Sequence, residues 1–206
     1  MMTLPGIAMR SGRWPLVTFA LAAIAGLVAV APELQPHLVG ARAAVAAGEA
    51  WRLVTAHFVH ASSSHFAWDL AAFAVLGVLC ERAGRTRFVA CLCTSALLIP
   101  AGLWLWQPSL SSYCGLSGMD SALFALLVAD VLRRAAAARQ PGLVVAASLV
   151  AAGFVAKIGY EFTTASTVFV EAAGVPVPLA HVIGAVVGLL CGRAASAPGQ
   201  RQRAGQ

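Results

Sequence analysis

Apolar residues gather in six runs, near 14–32, 64–81, 88–106, 116–132, 142–160 and 178–195, with charged residues mostly in the connections between them. Each run holds roughly 17 to 21 residues, about enough to cross the hydrocarbon core of a bilayer as a helix. The pattern predicts an all-α membrane protein, a bundle of six transmembrane helices with no internal domain boundary. A short cytoplasmic segment over 1–13 precedes the helical domain of 14–195, and a disordered cytoplasmic tail rich in Ala, Ser, Pro, Gly, Gln and Arg follows over 196–206. The longest connection lies between the first two spans, where Trp51, Leu53, Val54 and Phe58 are placed in the outer interface.

Composition agrees with a lipid solvent. Hydrophobic residues make up 60% of the chain, charged residues only 11%, and mean hydropathy is +0.82. A soluble domain of this size would expose far too much apolar surface. The net charge of +6 is not a nucleic-acid footprint, because the basic residues collect at alternate connections. Arg10, Arg13, Arg82, Arg85, Arg87, Arg133, Arg134, Arg139, Arg193, Arg201 and Arg203 all fall on one side, eleven of the fourteen Lys and Arg. By the positive-inside rule that side is cytoplasmic and holds both termini, with loops 33–63, 107–115 and 161–177 outside. Glu161 and Glu171 are thereby assigned to the last outer loop, and Lys157 snorkels outward from the fifth span. Ala29-Val30-Ala31 after the first run also fits a cleavable signal peptide, but the run is longer than an ordinary signal core. The five cysteines form no disulfide framework and read as packing residues.

The even-numbered spans all run inward, and each carries an unusual polar residue within its first turn or two: His65 and Asp69, then Ser117, then His181. They share one depth, just below the outer surface. Polar groups in hydrocarbon are costly unless they meet one another or line a wet cavity, so three helices carrying them at one level predict a common pocket. Ser117 sits between Gly115 and Gly118 at a helix start, and a serine hydroxyl becomes a nucleophile when a neutral histidine takes its proton. His181 is that base. Backbone N–H groups at the start of the Ser117 helix, with His65, are the expected donors to a developing oxyanion. Gly184, Gly188 and Gly192 give the last span a flat face for close packing, which brings His181 toward Ser117.

Each signal also has a plain explanation: Ser and Gly cap helices, an intramembrane histidine bonds a carbonyl, and glycine ladders pack. Cys114 reads as a bystander. A zinc site built from His57, His60, His65, Asp69 and His181 is the main rival chemistry, but no HExxH motif supplies its base. Neither a metal nor a cofactor is expected.

Taken together the residues resemble the rhomboid intramembrane serine proteases. The resemblance rests on Trp51-Arg52, Thr55, Phe58-x-His60, His65 and the position four after it, and Gly77. It continues through Gly115-x-Ser117-Gly118 and Ala180-His181-x-x-Gly184-x-x-x-Gly188. It implies a six-helix rhomboid-like bundle, a Ser117–His181 dyad and an oxyanion site using the Ser117 N–H and His65. His60, with Trp51 and Arg52, falls at positions that organise the first outer loop. Two departures stand out. Asp69 replaces the asparagine of many rhomboids, and is either a protonated donor or, the preferred reading, a carboxylate orienting His65 one turn away. Ser121 replaces an aromatic residue that stacks on the histidine in some members.

The wording Tyr113-Cys114-Gly115-Leu116-Ser117-Gly118, the minimal length and Asp69 are most similar to the rhombosortase branch. That resemblance implies membrane-anchored protein substrates with a C-terminal sorting tail, comprising a Gly-Gly motif, a transmembrane helix and a basic end. The other expected partner is the lipid bilayer. The alternatives within the family are a general rhomboid protease with other substrates and a non-proteolytic rhomboid-like binder of membrane helices.

Overall fold

The computed structural model describes residues 14–164, 166 and 177–194. The segment 1–13, the tail 196–206 and most of the 161–177 connection, including Glu171, lie outside the described residues. Five long helical segments build the described part: α1 (Leu16–Ala29), α5 (Ser63–Trp106), α6 (Ser117–Ala137), α7 (Pro141–Thr164) and α8 (Pro178–Ala194). Between α1 and α5 the chain forms short helices α2 (Gln35–Leu38), α3 (Arg42–Ala46) and α4 (Arg52–Thr55). Strand β1 (Gly40–Ala41) pairs antiparallel with β2 (Ser112–Tyr113), Gly40 facing Tyr113.

Large apolar side chains face outward, while polar and charged side chains are buried within an otherwise apolar core. Thr18, His57, Asp69, Glu81, Ser95, Asp120, Asp130 and Glu161 are buried, whereas Leu16, Leu27, Val75, Leu105, Leu149, Val155 and Leu190 are exposed. That arrangement is expected where the surrounding medium is as apolar as the side chains and only polar groups gain by turning inward. This is an integral membrane protein. By length and composition, α5 and α7 are each able to cross a membrane, or three spans if α1 and its continuation, bent by 91°, count as one; α8 is a shorter apolar helix.

Several boundaries differ from the sequence expectation. α1 stops at Ala29, where Pro32 starts a 3-10 turn, so the helix has 14 residues rather than filling 14–32. The second and third apolar runs are not separated by a loop over 82–87. Helix continues through 44 residues and is interrupted only at Gly84, which has extended φ −178°. α7 continues to Thr164, so Glu161 lies on a helix and not in the outer loop. Lys157 likewise does not turn outward alone, because its Nζ lies 2.7 Å from Glu161 Oε1 one turn on.

α1 is docked firmly. Glu81 Oε2 accepts from the Thr18 backbone N–H at 2.8 Å and from its hydroxyl at 2.9 Å, and a Cβ on Gly77 would strike Thr18. α6 and α8 meet backbone to backbone. A Cβ on Gly184 would collide with the Gly118 carbonyl and one on Gly188 with the Ala122 carbonyl, so the ladder seats α8 directly on α6. At the far end of α6, Asp130 pairs with Arg87 of α5 and with Arg133, which also donates to Gly192 O of α8 at 2.8 Å.

Candidate active site

Ser62 caps α5: its hydroxyl accepts from the His65 backbone N–H at 3.1 Å. The cap fixes the first turn, and four residues later Asp69 stands on the same face as His65. Asp69 Oδ2 lies 3.1 Å from His65 Nε2 and accepts from the Ser117 backbone N–H at 3.0 Å. His60 Nε2 is 3.4 Å from the same oxygen, within ion-pair range but off hydrogen-bond alignment, and its ring stands edge-on to His65 at 5.1 Å. His60 therefore joins the Asp69 cluster.

The turn into α6 needs glycine. Gly115 has φ +113°, and a Cβ there would lie 2.9 Å from the His65 ring and 3.3 Å from Asp69 Oδ2. That turn aims the Ser117 N–H, the first of α6, at the cluster, with Leu116 fully buried as its anchor. The segment between α1 and α5 holds the turn in place. Gly115 N–H donates to Ala56 O at 3.1 Å, Arg42 N–H to Ser111 O at 2.9 Å, and β1 pairs with β2 just before the turn. Within the loop, Arg52 Nη1 donates to Pro36 O at 2.7 Å and Val39 O at 3.0 Å, while Trp51 Nε1 reaches His37 O at 3.4 Å.

His57 is the pin between these loops, a role different from the zinc ligation that its spacing from His60 suggests in sequence. Its Nε2 is 3.2 Å from Ala96 O, an acceptor only, so Nε2 carries the proton and Nδ1 is left to accept from Tyr113 Oη at 3.4 Å. The single Tyr113 hydroxyl proton is shared between that nitrogen and Gly115 O, which lies 3.1 Å from Oη. Burial pushes the His57 imidazole down to about 4 and the Tyr113 phenol well above its usual value, so both are neutral. Burial, then the Asp69 charge, also raises the neighbouring Cys114 thiol, which keeps it protonated.

α8 begins at Pro178 and presents His181 in its first turn. A Cβ on Gly118 would lie 3.3 Å from Ala180 O, and Gly184 packs on Gly118 O. Ala180 and Gly184 thus straddle Gly118, which sets the turns bearing His181 and Ser117 against each other. His181 Nδ1 is 3.1 Å from Glu161 Oε2 of α7, leaving Nε2 as the nitrogen available to a nucleophile. Glu161 is 2% exposed and was not among the residues expected at the site.

The arrangement thus combines a serine at a helix N-terminus, a histidine on the helix packed against it, and donors at the same level. The sequence matches the Rhomboid domain over residues 47–198, well over half of the chain. The chain belongs to the rhomboid family. Rhomboids are known as serine intramembrane proteases acting on membrane-protein substrates within the bilayer, and the match covers the first-loop motifs, Ser117 and His181 of this rhomboid alike. No curated protein matches the chain.

Proposed function

We propose that this rhomboid is an intramembrane serine endopeptidase in which Ser117 is the nucleophile and His181 its base. The observation that carries the reading is the seating of Gly118 between Ala180 and Gly184, which sets the Ser117 and His181 turns face to face. Ser117 Oγ attacks the scissile carbonyl of a substrate helix while His181 Nε2 takes its proton. The Ser117 N–H and His65 supply the oxyanion contacts once Asp69 gives them up. The crossings number six on this reading, with α5 contributing two on either side of Gly84: 44 residues of helix span about 66 Å, twice a bilayer core. Both termini are cytoplasmic, the membrane is a bacterial inner membrane, and cleavage occurs near the outer face.

The narrower reading is rhombosortase-type processing of C-terminal Gly-Gly sorting tails. It is supported by the Tyr113–Gly118 wording and by Asp69.

The test is cleavage of a membrane-anchored reporter carrying such a tail, by wild type, Ser117→Ala and His181→Ala. Both variants are expected to insert normally and to lose cleavage, and a fluorophosphonate probe to label wild type and miss Ser117→Ala. Wild-type cleavage by Ser117→Ala would overturn the mechanism. Processing of other transmembrane reporters but not this one would overturn only the sorting-tail assignment.

A further inference from the structure

Ser121, four residues after Ser117, spends its hydroxyl on Ser117 O at 2.8 Å. The contact that holds the His181 ring comes from another helix. Glu161 of α7 places Oε2 3.1 Å from His181 Nδ1 and Oε1 2.7 Å from Lys157 Nζ, and the side chain is almost completely buried. A buried carboxylate costs several kcal/mol unless its oxygens are paired. The Lys157 contact lies within one turn of one helix and offsets part of that cost. The His181 contact joins α7 to α8 across 20 residues of sequence, and it engages the ring nitrogen that faces away from the serine's role. Two other carboxylates lie near this level: Asp69 is bound to the Ser117 N–H and His65, and Asp120, buried in the first turn of α6, makes no ion pair with His181.

We propose that Glu161 is the positioning residue of a Ser117–His181–Glu161 triad. The proposal rests on the Ser117–His181 reading above. Glu161 Oε2 accepts the Nδ1 proton of His181, which fixes the tautomer with the lone pair on Nε2. As the bond from Ser117 Oγ to the scissile carbonyl carbon forms, the hydroxyl proton passes to Nε2, and the imidazolium lies against an ionised Glu161. Nε2 then gives that proton to the departing amine as the C–N bond breaks. Water repeats the sequence on the acyl-enzyme, losing its proton to Nε2 and releasing the carboxylic acid with Ser117 restored. Glu161 stays ionised throughout, as electrostatic support for the charge that develops on the ring.

The experiment uses the purified full-length protein in proteoliposomes and reads kcat, KM and the rate of fluorophosphonate labelling for Glu161→Gln, Glu161→Asp, Lys157→Met and Ser117→Ala. Glu161→Gln is expected to lower kcat and labelling rate together by about 10²- to 10³-fold with KM within about threefold, since the group acts on the transition state. Glu161→Asp is expected to regain part of the loss, and Lys157→Met to lose far less than Glu161→Gln. Ser117→Ala inactive with Glu161→Gln at wild-type kcat would overturn the triad and leave the serine mechanism standing. Lys157→Met reproducing the whole Glu161→Gln loss would overturn it too, by assigning the carboxylate to its lysine. An active Ser117→Ala would instead remove the reading beneath it.

Discussion

The Ser117 backbone N–H donates to the Asp69 carboxylate at 3.0 Å, and Asp69 Oδ2 also lies 3.1 Å from His65 Nε2. On the proposed mechanism these are the two donors that stabilise a tetrahedral intermediate, and a carboxylate oxygen occupies the position proposed for its oxyanion. Two anions cannot share the same donors at this distance without strong repulsion in a low-dielectric site.

Asp69→Asn follows directly. The amide keeps the shape and a hydrogen-bonding group beside His65, removes the competing charge and offers an N–H to the oxyanion. This competition for the donors reverses the expectation from an orienting carboxylate: reporter cleavage at neutral pH is expected to show kcat held or raised, with KM little changed. A 10- to 100-fold fall in kcat would show that the carboxylate's charge on His65 matters more than the vacancy its loss creates.

Packing of α8 on α6 gives the second prediction. Gly184→Val places a side chain into the Gly118 carbonyl, and no rotamer change relieves a clash with backbone. The helices must separate, moving His181 from Ser117. Loss of labelling and a stability loss of about 1–3 kcal/mol or more are expected. Gly159→Ala in α7 is the control: nothing lies within 4 Å of its added Cβ. It is expected to keep activity, and equal damage from both variants would show that α7 is as tightly packed as α8.

Ser117, His181, His65, Asp69 and the glycine ladder were legible because each is a polar or small residue out of place in an apolar run, at a spacing that one helix face imposes. Glu161 was not. Hydropathy falls near 160, so the fifth span was expected to end there and its carboxylate to be in water, whereas α7 runs on to Thr164 with Glu161 turned inward. The pinning role of His57 escaped for a related reason: its partners, Ala96 and Tyr113, are 39 and 56 residues away, and a buried neutral histidine carries no local signature. Two-residue strands such as β1 and β2 have no period to read. The Arg82–Arg87 connection looks like a loop by charge, but arginine is a good helix former and only Gly84 breaks the helix.

Orientation is the third prediction. α6 runs from the Ser117 turn to the Arg87–Asp130–Arg133 cluster, 13 to 16 residues or about 20–24 Å away, so the site and the arginines occupy opposite ends of the bundle. Cysteine-accessibility mapping is expected to find both termini and positions 82–87 and 133–141 cytoplasmic, with 33–63 and 165–177 outside. An outward C-terminus would reverse the bundle.

His57 supplies the pH prediction. Folded, the buried imidazole titrates at about 4 against 6.5 for the exposed ring, so between those values the unfolded chain binds a proton that the folded loop refuses. Stability from this residue is therefore complete above about pH 6.5 and is lost as pH falls through 4, by roughly 2–4 kcal/mol in total. Other carboxylates titrate in the same window, so the measurement is a difference. Thermal unfolding of wild type and His57→Gln is followed in detergent from pH 7 to pH 4; glutamine is neutral throughout and retains an N–H for Ala96 O. Wild type is expected to be the more stable at pH 7, and its advantage to shrink steadily between pH 6.5 and 4. A gap that stays constant across that range would mean that His57 is protonated in the folded loop, and that the Tyr113 contact is not made to a neutral ring.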